Sequence, residues 1–491
     1  MKRKHVLAGA GLALALAMMA SAGAQAAALP TAQQAELLGT VEKNAGQLSD
    51  VALKIWNFAE LGYQETQSSA LLQQTLKDAG FTVTAGVAGE PTGFIASFKN
   101  GSGPVVALLA EFDALPGLSQ AAAPEKQSLG KVAGHGCGHN LFGAASTEAA
   151  IAVKDWMIRN KVGGELRVYG TPAEEGGSGK VYFVRDGLFR DVDVTLHWHP
   201  GNVNSASQAP SMANISGKFR FHGISAHAAA APEKGRSALD GVEAMDNMVN
   251  MLREHIPDET RIHYVITSGG KAPNVVPDFA EVYYYVRQAD PKIVVDVMNR
   301  VKKAAEGAAM GTGTTVEFEQ TGGVYSLLPN ETLMKVMDRN LHKVGGIQWT
   351  PAETAFAQKI QKSFETTPPP LSSVGEIEPA RVGSLMAGST DVSDISWVTP
   401  TVGLSTATFV PGSAGHSWQN AAAAGMSIGV KGAVVAAKTL ALTAAELFRS
   451  PEEIAAAKAE FDQRRGKDFV YKALVGDRKP PLDYRKPSRS E

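Results

Sequence analysis

Val105-Val-Ala-Leu-Leu-Ala110 is an unbroken run of six apolar residues. A short run without polar alternation suits a strand buried on both faces, as in parallel sheets covered by helices. The flanking sequence agrees. Upstream, Phe94-Ile-Ala-Ser-Phe98 is strand-like. Residues 31–80 read as helices, with Leu48, Val51, Ala52, Ile55, Trp56 and Ala59 at helical spacing and Gly80 as a stop. Downstream, a long loop to Gly138 leads into a helix from about Leu141 to Arg159, then strands at Leu166 to Tyr169 and Val192 to Leu196. Strand and helix in alternation predict an α/β layer fold.

The pattern changes near residue 210. Lys218-Phe-Arg-Phe-His222 alternates like a half-exposed strand. A helix from Ala238 to His255, strands at Arg261 to Thr267 and Ala280 to Arg287, a helix from Ile293 to Ala309 and a strand from Thr314 to Gln320 follow. That order, β-α-β-β-α-β, is a ferredoxin-like split unit. It predicts an inserted domain over residues 212–322, between two parts of the layer fold at 27–211 and 323–450. Apolar strand-like segments resume after Pro329. Val402 to Ser405 and the Ala-rich helix Gly425 to Leu447 close the first fold, and residues 361–380, rich in Pro, Ser and Thr, read as loop. Residues 451–491 are polar and are expected to form a peripheral tail.

With 491 residues the chain exceeds one ordinary core. Its 47 Lys+Arg balance 49 Asp+Glu, so no global charge draws it to nucleic acid or a membrane surface. Lys2, Arg3 and Lys4, an apolar run from Val6 to Ala20 and Ala24-Gln25-Ala26 form a signal peptide ending at residue 26. The apolar run is shorter than the roughly 20 residues a spanning helix needs. No later segment reads as apolar enough to span. The expectation is a soluble periplasmic or secreted protein. It has one cysteine, Cys137, which cannot bridge within the chain. Cys137 is therefore a small buried residue, a reactive thiol or a metal ligand.

Four segments hold possible ligands. In Gly134-His-Gly-Cys-Gly-His-Asn140, a thiol and an imidazole two apart can grip one cation or straddle two, and the glycines allow a tight turn. Thr171-Pro-Ala-Glu174-Glu175 places adjacent carboxylates after a strand, one for a metal and one free to take a proton from water. In Leu196-His197-Trp198-His199-Pro200 both imidazoles share a strand face. The fourth is His416, in Gly415-His-Ser-Trp418. Together they offer Cys, His and Glu donors suited to one or two borderline-soft divalent ions.

The sequence resembles the metal-dependent amidohydrolases of the aminoacylase and carboxypeptidase type, in particular the aminobenzoyl-glutamate utilisation protein B branch. The resemblance spans nearly the whole chain after residue 26. It rests on the glycine-rich and paired-Glu segments above, and on Ala110-Glu-Phe-Asp-Ala-Leu-Pro116, His222-Gly-Ile-Ser-Ala-His227, Gly235-Arg-Ser-Ala238, Asn274-Val-Val-Pro277, Ser389-Thr-Asp-Val392 and His416-Ser-Trp418. It implies a two-metal aminopeptidase-like catalytic domain interrupted by a lid and dimerisation domain, and two zinc or manganese ions. The reaction it implies is cleavage of an amide in an N-acyl amino acid such as aminobenzoyl-glutamate, or in an unusual β-alanyl or lysyl dipeptide. It implies a homodimer, or a hetero-oligomer with a related subunit in which this chain could serve for binding alone. It places Cys137, His139, Glu175 and His416 on ligand positions and Glu174 on the general base. His227 falls on a lid histidine that stabilises the oxyanion, often in the partner's site. Asn274 and Arg287 fall on positions that hold the substrate carboxylate. The branch pattern Trp-His-Pro picks His199 as a further ligand, whereas the wider family pattern picks His197. Thr390 departs from the pattern, since many relatives carry an acid there before Asp391.

Overall fold

The six apolar residues at 105–110 lie in the middle of a sheet because nothing in them needs water: from Val106 onward every one is buried. The computed structural model describes residues 29–386 and 388–485, so the signal peptide expected at residues 1–26 lies outside the described residues. Helices α1 (Thr31–Lys43), α2 (Ala45–Phe58) and α3 (Thr66–Asp78) lead into strands β1 (Thr82–Ala85), β2 (Phe94–Asn100) and β3 (Val105–Ala110). The loop that follows carries the small pair β4 (Leu115–Pro116) and β5 (Ala133–Gly134). Then come α4 (His139–Arg159), β6 (Gly164–Gly170), the short helices α5 (Glu174–Gly177) and α6 (Gly179–Arg185), and β7 (Val194–Gly201).

The insertion has the expected order: β8 (Ala213–His222), α7 (Ala238–Leu252), β9 (Arg261–Ser268), β10 (Phe279–Gln288), α8 (Pro291–Thr312) and β11 (Thr315–Val324). Its four strands pair antiparallel in the order β11-β8-β10-β9. Its own core includes Phe219, Phe221, Met245, Val249, Tyr284, Val297 and Val301. Both helices start at side-chain caps: Ser237 accepts from the Asp240 N–H, and Asp290 accepts from the Lys292 N–H ahead of Pro291.

The chain then returns through α9 (Glu331–Val344), α10 (Pro351–Gln361), α11 (Val392–Ile395), β12 (Thr401–Ala407), α12 (Trp418–Ala424), α13 (Ser427–Arg449) and α14 (Pro451–Arg465). The first segments after Pro329, expected to be strand-like, are helices, whereas Val402 to Ser405 is a strand, within β12. Leu333, Met334, Met337 and Leu341 repeat at helical spacing, Asn330 caps α9 through the Leu333 N–H, and Thr350 with Glu353 forms a capping box on α10.

The main sheet has the order β1-β2-β6-β3-β7-β12. β6, β3, β7 and β12 are parallel, β2 is antiparallel to β6, and β1 to β2. α4 and α13 pack on each other and on β7. By length and composition α13 could cross a membrane, against the expectation that no later segment could. It is instead a core helix, with 78% of its apolar window buried. Four parallel strands present their carboxyl ends to one rim, where open α/β sheets place their ligands.

Candidate metal and active centre

Each strand of that rim delivers chemistry at or just past its end. β3 runs into Glu111 and Asp113, β6 into Glu174 and Glu175, β7 carries His197 and His199, and the loop after β12 brings His416. α4 starts at the same place. Gly138 has φ +79°, and a Cβ on it would lie 2.8 Å from Pro200, so only glycine lets the helix start abut the end of β7.

Asp113 organises the centre. One oxygen lies 2.8 Å from His139 Nδ1, and the other accepts the Glu175 N–H at 2.9 Å. His139 is fully buried, and its Nε2 lies 3.1 Å from Glu111 Oε2, with neither atom in a hydrogen bond. His199 Nδ1 lies 2.8 Å from the Pro200 carbonyl, so that nitrogen carries the proton and Nε2 keeps its lone pair. That Nε2 is 3.4 Å from Cys137 Sγ. His416 Nε2 is 3.3 Å from Glu175 Oε1.

Donor atoms of Cys137, His139 and His199 lie within 4.8 Å of one another, as do those of Cys137, Glu175 and His416. Cys137 thus belongs to two groups, the arrangement a pair of neighbouring cations would use. A third group joins Glu111, His139 and Glu174. The electrostatics fit cations as well. Burial pushes the Cys137 thiol up. Burial also works against charge on His139, yet Cys137, Glu111 and Asp113 outweigh it and raise its pKa well above the ordinary value. A site that pulls a proton onto a buried imidazole would hold a divalent ion in its place. Glu111 Oε2 and His139 Nε2, buried and facing each other without a hydrogen bond, point the same way.

Of the two rival histidines, the structure brings His199 to Cys137 and His139. His197 stacks on Gly403, where a Cβ would come within 2.3 Å of the ring. Burial lowers its pKa to about 4, so it is a neutral group in the cleft wall. His135, in the same glycine-rich segment, is buried with Nε2 3.0 Å from the Ile55 carbonyl. Asn140 donates to the Ala52 and Ala424 carbonyls and ties helices together.

The Glu174 carboxylate takes no part in that packing. Burial first, then Glu111 and Glu175, push its pKa well above the carboxylate range. It sits on a strained turn, with Ala173 at φ +55° and Ser178 at φ +58°. The Ala173 N–H donates to Glu65 at 2.9 Å, which holds the turn.

Three groups that sequence pattern leaves without a role complete the centre. Glu111 and Asp391 flank Lys180, a lysine with no exposed surface. Its Nζ lies 2.7 Å from Glu111 and 2.8 Å from Asp391. Burial opposes the charge, but Asp391 and Glu111 hold the Lys180 pKa above its ordinary value. Asp391 also accepts the Lys180 N–H, so it is engaged by lysine next to the departure at Thr390.

The centre opens into a cleft of about 1310 Å³ between the sheet rim and the insertion. Arg287 lines it from β10. His227 and Asn274 do not. Both are away from the cleft and meet at the far end of the insertion, where the Ala228 N–H donates to the Asn274 carbonyl. β8 has ten residues, so at about 3.3 Å per residue that turn stands about 30 Å from the root of the insertion.

The tail is not peripheral. After α14 the chain runs back across the molecule to the rim. Tyr484 Oη and Arg485 Nη2 both donate to the Glu175 carbonyl, at 2.9 and 2.7 Å, and Arg485 lines the cleft. Polar composition suggests solvent, but these polar groups are spent on backbone contacts.

Residues 213–312 match the peptidase dimerisation domain of the M20 type. The B-type subunit of the p-aminobenzoyl-glutamate hydrolase of Escherichia coli (strain K12) is 42% identical, over 83% of this chain and 90% of the relative. The Xaa-Arg dipeptidase of Mus musculus is 28% identical, over 86% and 90%. Among solved structures, a dinuclear metal-binding M20 peptidase of Bacillus subtilis superposes with a TM-score of 0.58 at 17% identity, over 83% of this chain and 99% of that one. An aminobenzoyl-glutamate utilization protein of Klebsiella pneumoniae gives 0.57 at 18%, over 82% and 98%. The identity to the Escherichia coli hydrolase, spread over most of both chains, carries the assignment: this chain belongs to the M20 family of metal-dependent amidohydrolases, in the branch of the B-type p-aminobenzoyl-glutamate hydrolase subunits.

Proposed function

We propose that the chain hydrolyses the amide of an N-acyl glutamate such as aminobenzoyl-glutamate. One observation carries this reading: the cleft that holds the Glu174-Glu175 turn and the Cys/His donors also holds Arg287. A hydrolytic centre facing a guanidinium suits an amide that bears a carboxylate.

Cys137, His139, Glu175, His199 and His416 would hold two divalent ions, zinc or manganese by the softness of a mixed thiolate, imidazole and carboxylate set. Such ions, when bound, polarise a carbonyl and acidify a water. Glu174, beside the donors and not needed by them, accepts the proton of the attacking water and passes it to the departing amide nitrogen. Its raised pKa suits both halves of that transfer. Asp113 keeps His139 and the Glu175 backbone in register. Arg287 holds the carboxylate and so fixes the amide over the centre.

His227 and Asn274, about 30 Å from the root of the insertion, would serve the cleft of a second copy. The insertion favours such pairing. Edge strand β9 exposes Tyr264, Val265 and Ile266, and α7 exposes Met248 and Met251. The partner is a second copy or a related chain. Residues 1–26 direct export, and the mature chain begins near Ala27 in the periplasm or outside the cell; N-terminal sequencing of envelope protein checks this.

The deciding experiment is a panel assay on the purified, metal-supplemented chain, with N-acyl glutamates, neutral N-acyl amino acids and Xaa-Arg, lysyl and β-alanyl dipeptides. Turnover of N-acyl glutamate by the chain alone is the expected result. Preference for dipeptides would replace the substrate class, in line with the dipeptidase relative. No turnover until a related chain is added would make this a binding partner.

A further inference from the structure

The last described residues form a strap with anchors along its length. Tyr471 Oη donates to Asp394 at 2.7 Å, and the Lys472 carbonyl accepts from Tyr325 Oη at 2.9 Å. Leu474 packs against the insertion's core, and Val475 is buried with Val181, Tyr182 and Val324. The Leu482 carbonyl accepts from Gln64 at 2.8 Å, and Tyr484 meets Tyr63 edge-on at 5.8 Å. The strap thus passes the root of the insertion and ends on the turn that carries Glu174 and Glu175.

Arg485 is the residue it delivers. One guanidinium nitrogen is tied to the Glu175 carbonyl, and the group lies over the Tyr484 ring at 4.9 Å. Its Nε is shielded from solvent and has no partner among the described residues. No carboxylate among the described residues forms an ion pair with it. An arginine that anchors by one nitrogen, has no carboxylate partner among the described residues and lines the cleft is placed to take a planar anion. Arg485 contacts the same turn as the proposed base, so the anion it takes belongs to the molecule being cleaved.

We infer that Arg485 is a specificity-determining residue that binds a carboxylate of the substrate, carried into the cleft by the chain's own C-terminal strap. This rests on the N-acyl glutamate reading, whose substrate has two carboxylates. Arg287 takes one and Arg485 the other.

The test compares p-aminobenzoyl-glutamate with its α-amide and its γ-amide, on wild type, R485M, R485K and Y484F. A hydrogen-bonded charge pair is worth about 1.5–3 kcal/mol, or roughly 10- to 100-fold. R485M should lose that factor in kcat/KM on the diacid, mainly through KM. On the amide lacking the carboxylate that Arg485 holds, it should lose much less, no more than Y484F loses, because only the hydrogen bond to the Glu175 carbonyl is then missing. Y484F removes a hydrogen bond from the same Glu175 carbonyl but no charge, so it should affect all three substrates alike. If R485M does not fold, R485K carries the comparison, because an amine lacks the fork and the diacid preference should still fall. A second readout needs no turnover: glutarate should raise the melting temperature of metal-free wild type clearly more than that of R485M, which keeps only Arg287. Equal loss by R485M on all three substrates, or none, would overturn the inference and leave Arg485 as a positioning residue for Glu175. Failure of wild type on every N-acyl glutamate sinks the substrate reading instead. The comparison then moves to whichever dipeptide is cleaved, as free acid and as C-terminal amide, with the same criterion for Arg485.

Discussion

Replacing Lys180 by Met tests whether the centre is held by charge. Lys180 has no exposed surface, and its two carboxylate partners, at 2.7 and 2.8 Å, have side chains only 1% exposed. Removing one partner of such a buried set costs about 3–5 kcal/mol, because the charges left behind have no water. Met has similar length, so little of the cost is a cavity. Two contacts survive: Glu111 with His139 at 3.1 Å, and Asp391 with the residue-180 backbone N–H at 2.9 Å. The lower half of the range applies, about 3–4 kcal/mol. The assay is urea unfolding of chelated protein, with stability extrapolated at unchanged slope. Divalent metal should narrow the difference, since cations beside Glu111 replace part of the missing charge. Adding Glu111→Gln and Asp391→Asn to the Met variant should recover much of the loss, as neutral replacements of whole buried ion sets often do. A difference under about 1 kcal/mol in metal-free protein would refute the reasoning. The carboxylates would then be protonated, and Lys180 would not be their counter-ion.

Glu174→Gln should keep its metal and lose turnover by at least about a hundredfold, read by elemental analysis beside steady-state kinetics. Cys137→Ala and Glu175→Gln should lose metal on dialysis and activity with it, since Cys137 is a donor in both groups that contain the thiol and Glu175 in one of them. His227→Ala should leave metal content and melting unchanged and cut turnover strongly. Mixing it with Glu174→Gln should restore part of the activity, because one hybrid site then has both residues; no recovery after exchange of chains would place His227 outside the partner's cleft.

The fold is legible where burial follows a simple period. The apolar run at 105–110 suits a strand covered on both sides, which β3 is, and the alternation in Lys218 to His222 matches β8, whose even and odd residues there face solvent and core. The region after Pro329 fails for an instructive reason. Leu333, Met334, Val336 and Met337 crowd together like a short strand, and only the cap at Asn330 and the return at Leu341 show a helix. Periodicity needs two turns before it separates the two periods, and a cap residue then carries the decision. β1 escapes the pattern altogether: Thr82–Ala85 is an exposed edge strand with too little apolar alternation to read.

The donors are legible because thiol, imidazole and carboxylate at strand ends are chemically distinctive, and most of their segments hold two of them. What surrounds the donors is not. Lys180 stands in Ser178-Gly-Lys-Val, and nothing local reveals that its side chain is folded inward against Glu111 and Asp391 from segments far along the chain. The position is set by packing: a Cβ on Gly179 would sit 2.0 Å from the Pro172 carbonyl, so the chain passes there only with glycine, and Asp391 holds both the backbone N–H and the Nζ of Lys180. The tail misleads for the opposite reason. Its Tyr, Lys and Arg residues look solvated, yet the Tyr484 hydroxyl and Arg485 guanidinium are used on a backbone carbonyl of the rim. Composition reports how often a residue type is exposed, and a polar segment with interspersed aromatics can lie flat on a surface whose backbone carbonyls need donors. The residues that position this centre are therefore those whose partners lie far along the chain, from Asp113 with Glu175 to Arg485 with Glu175, and sequence pattern has no access to them.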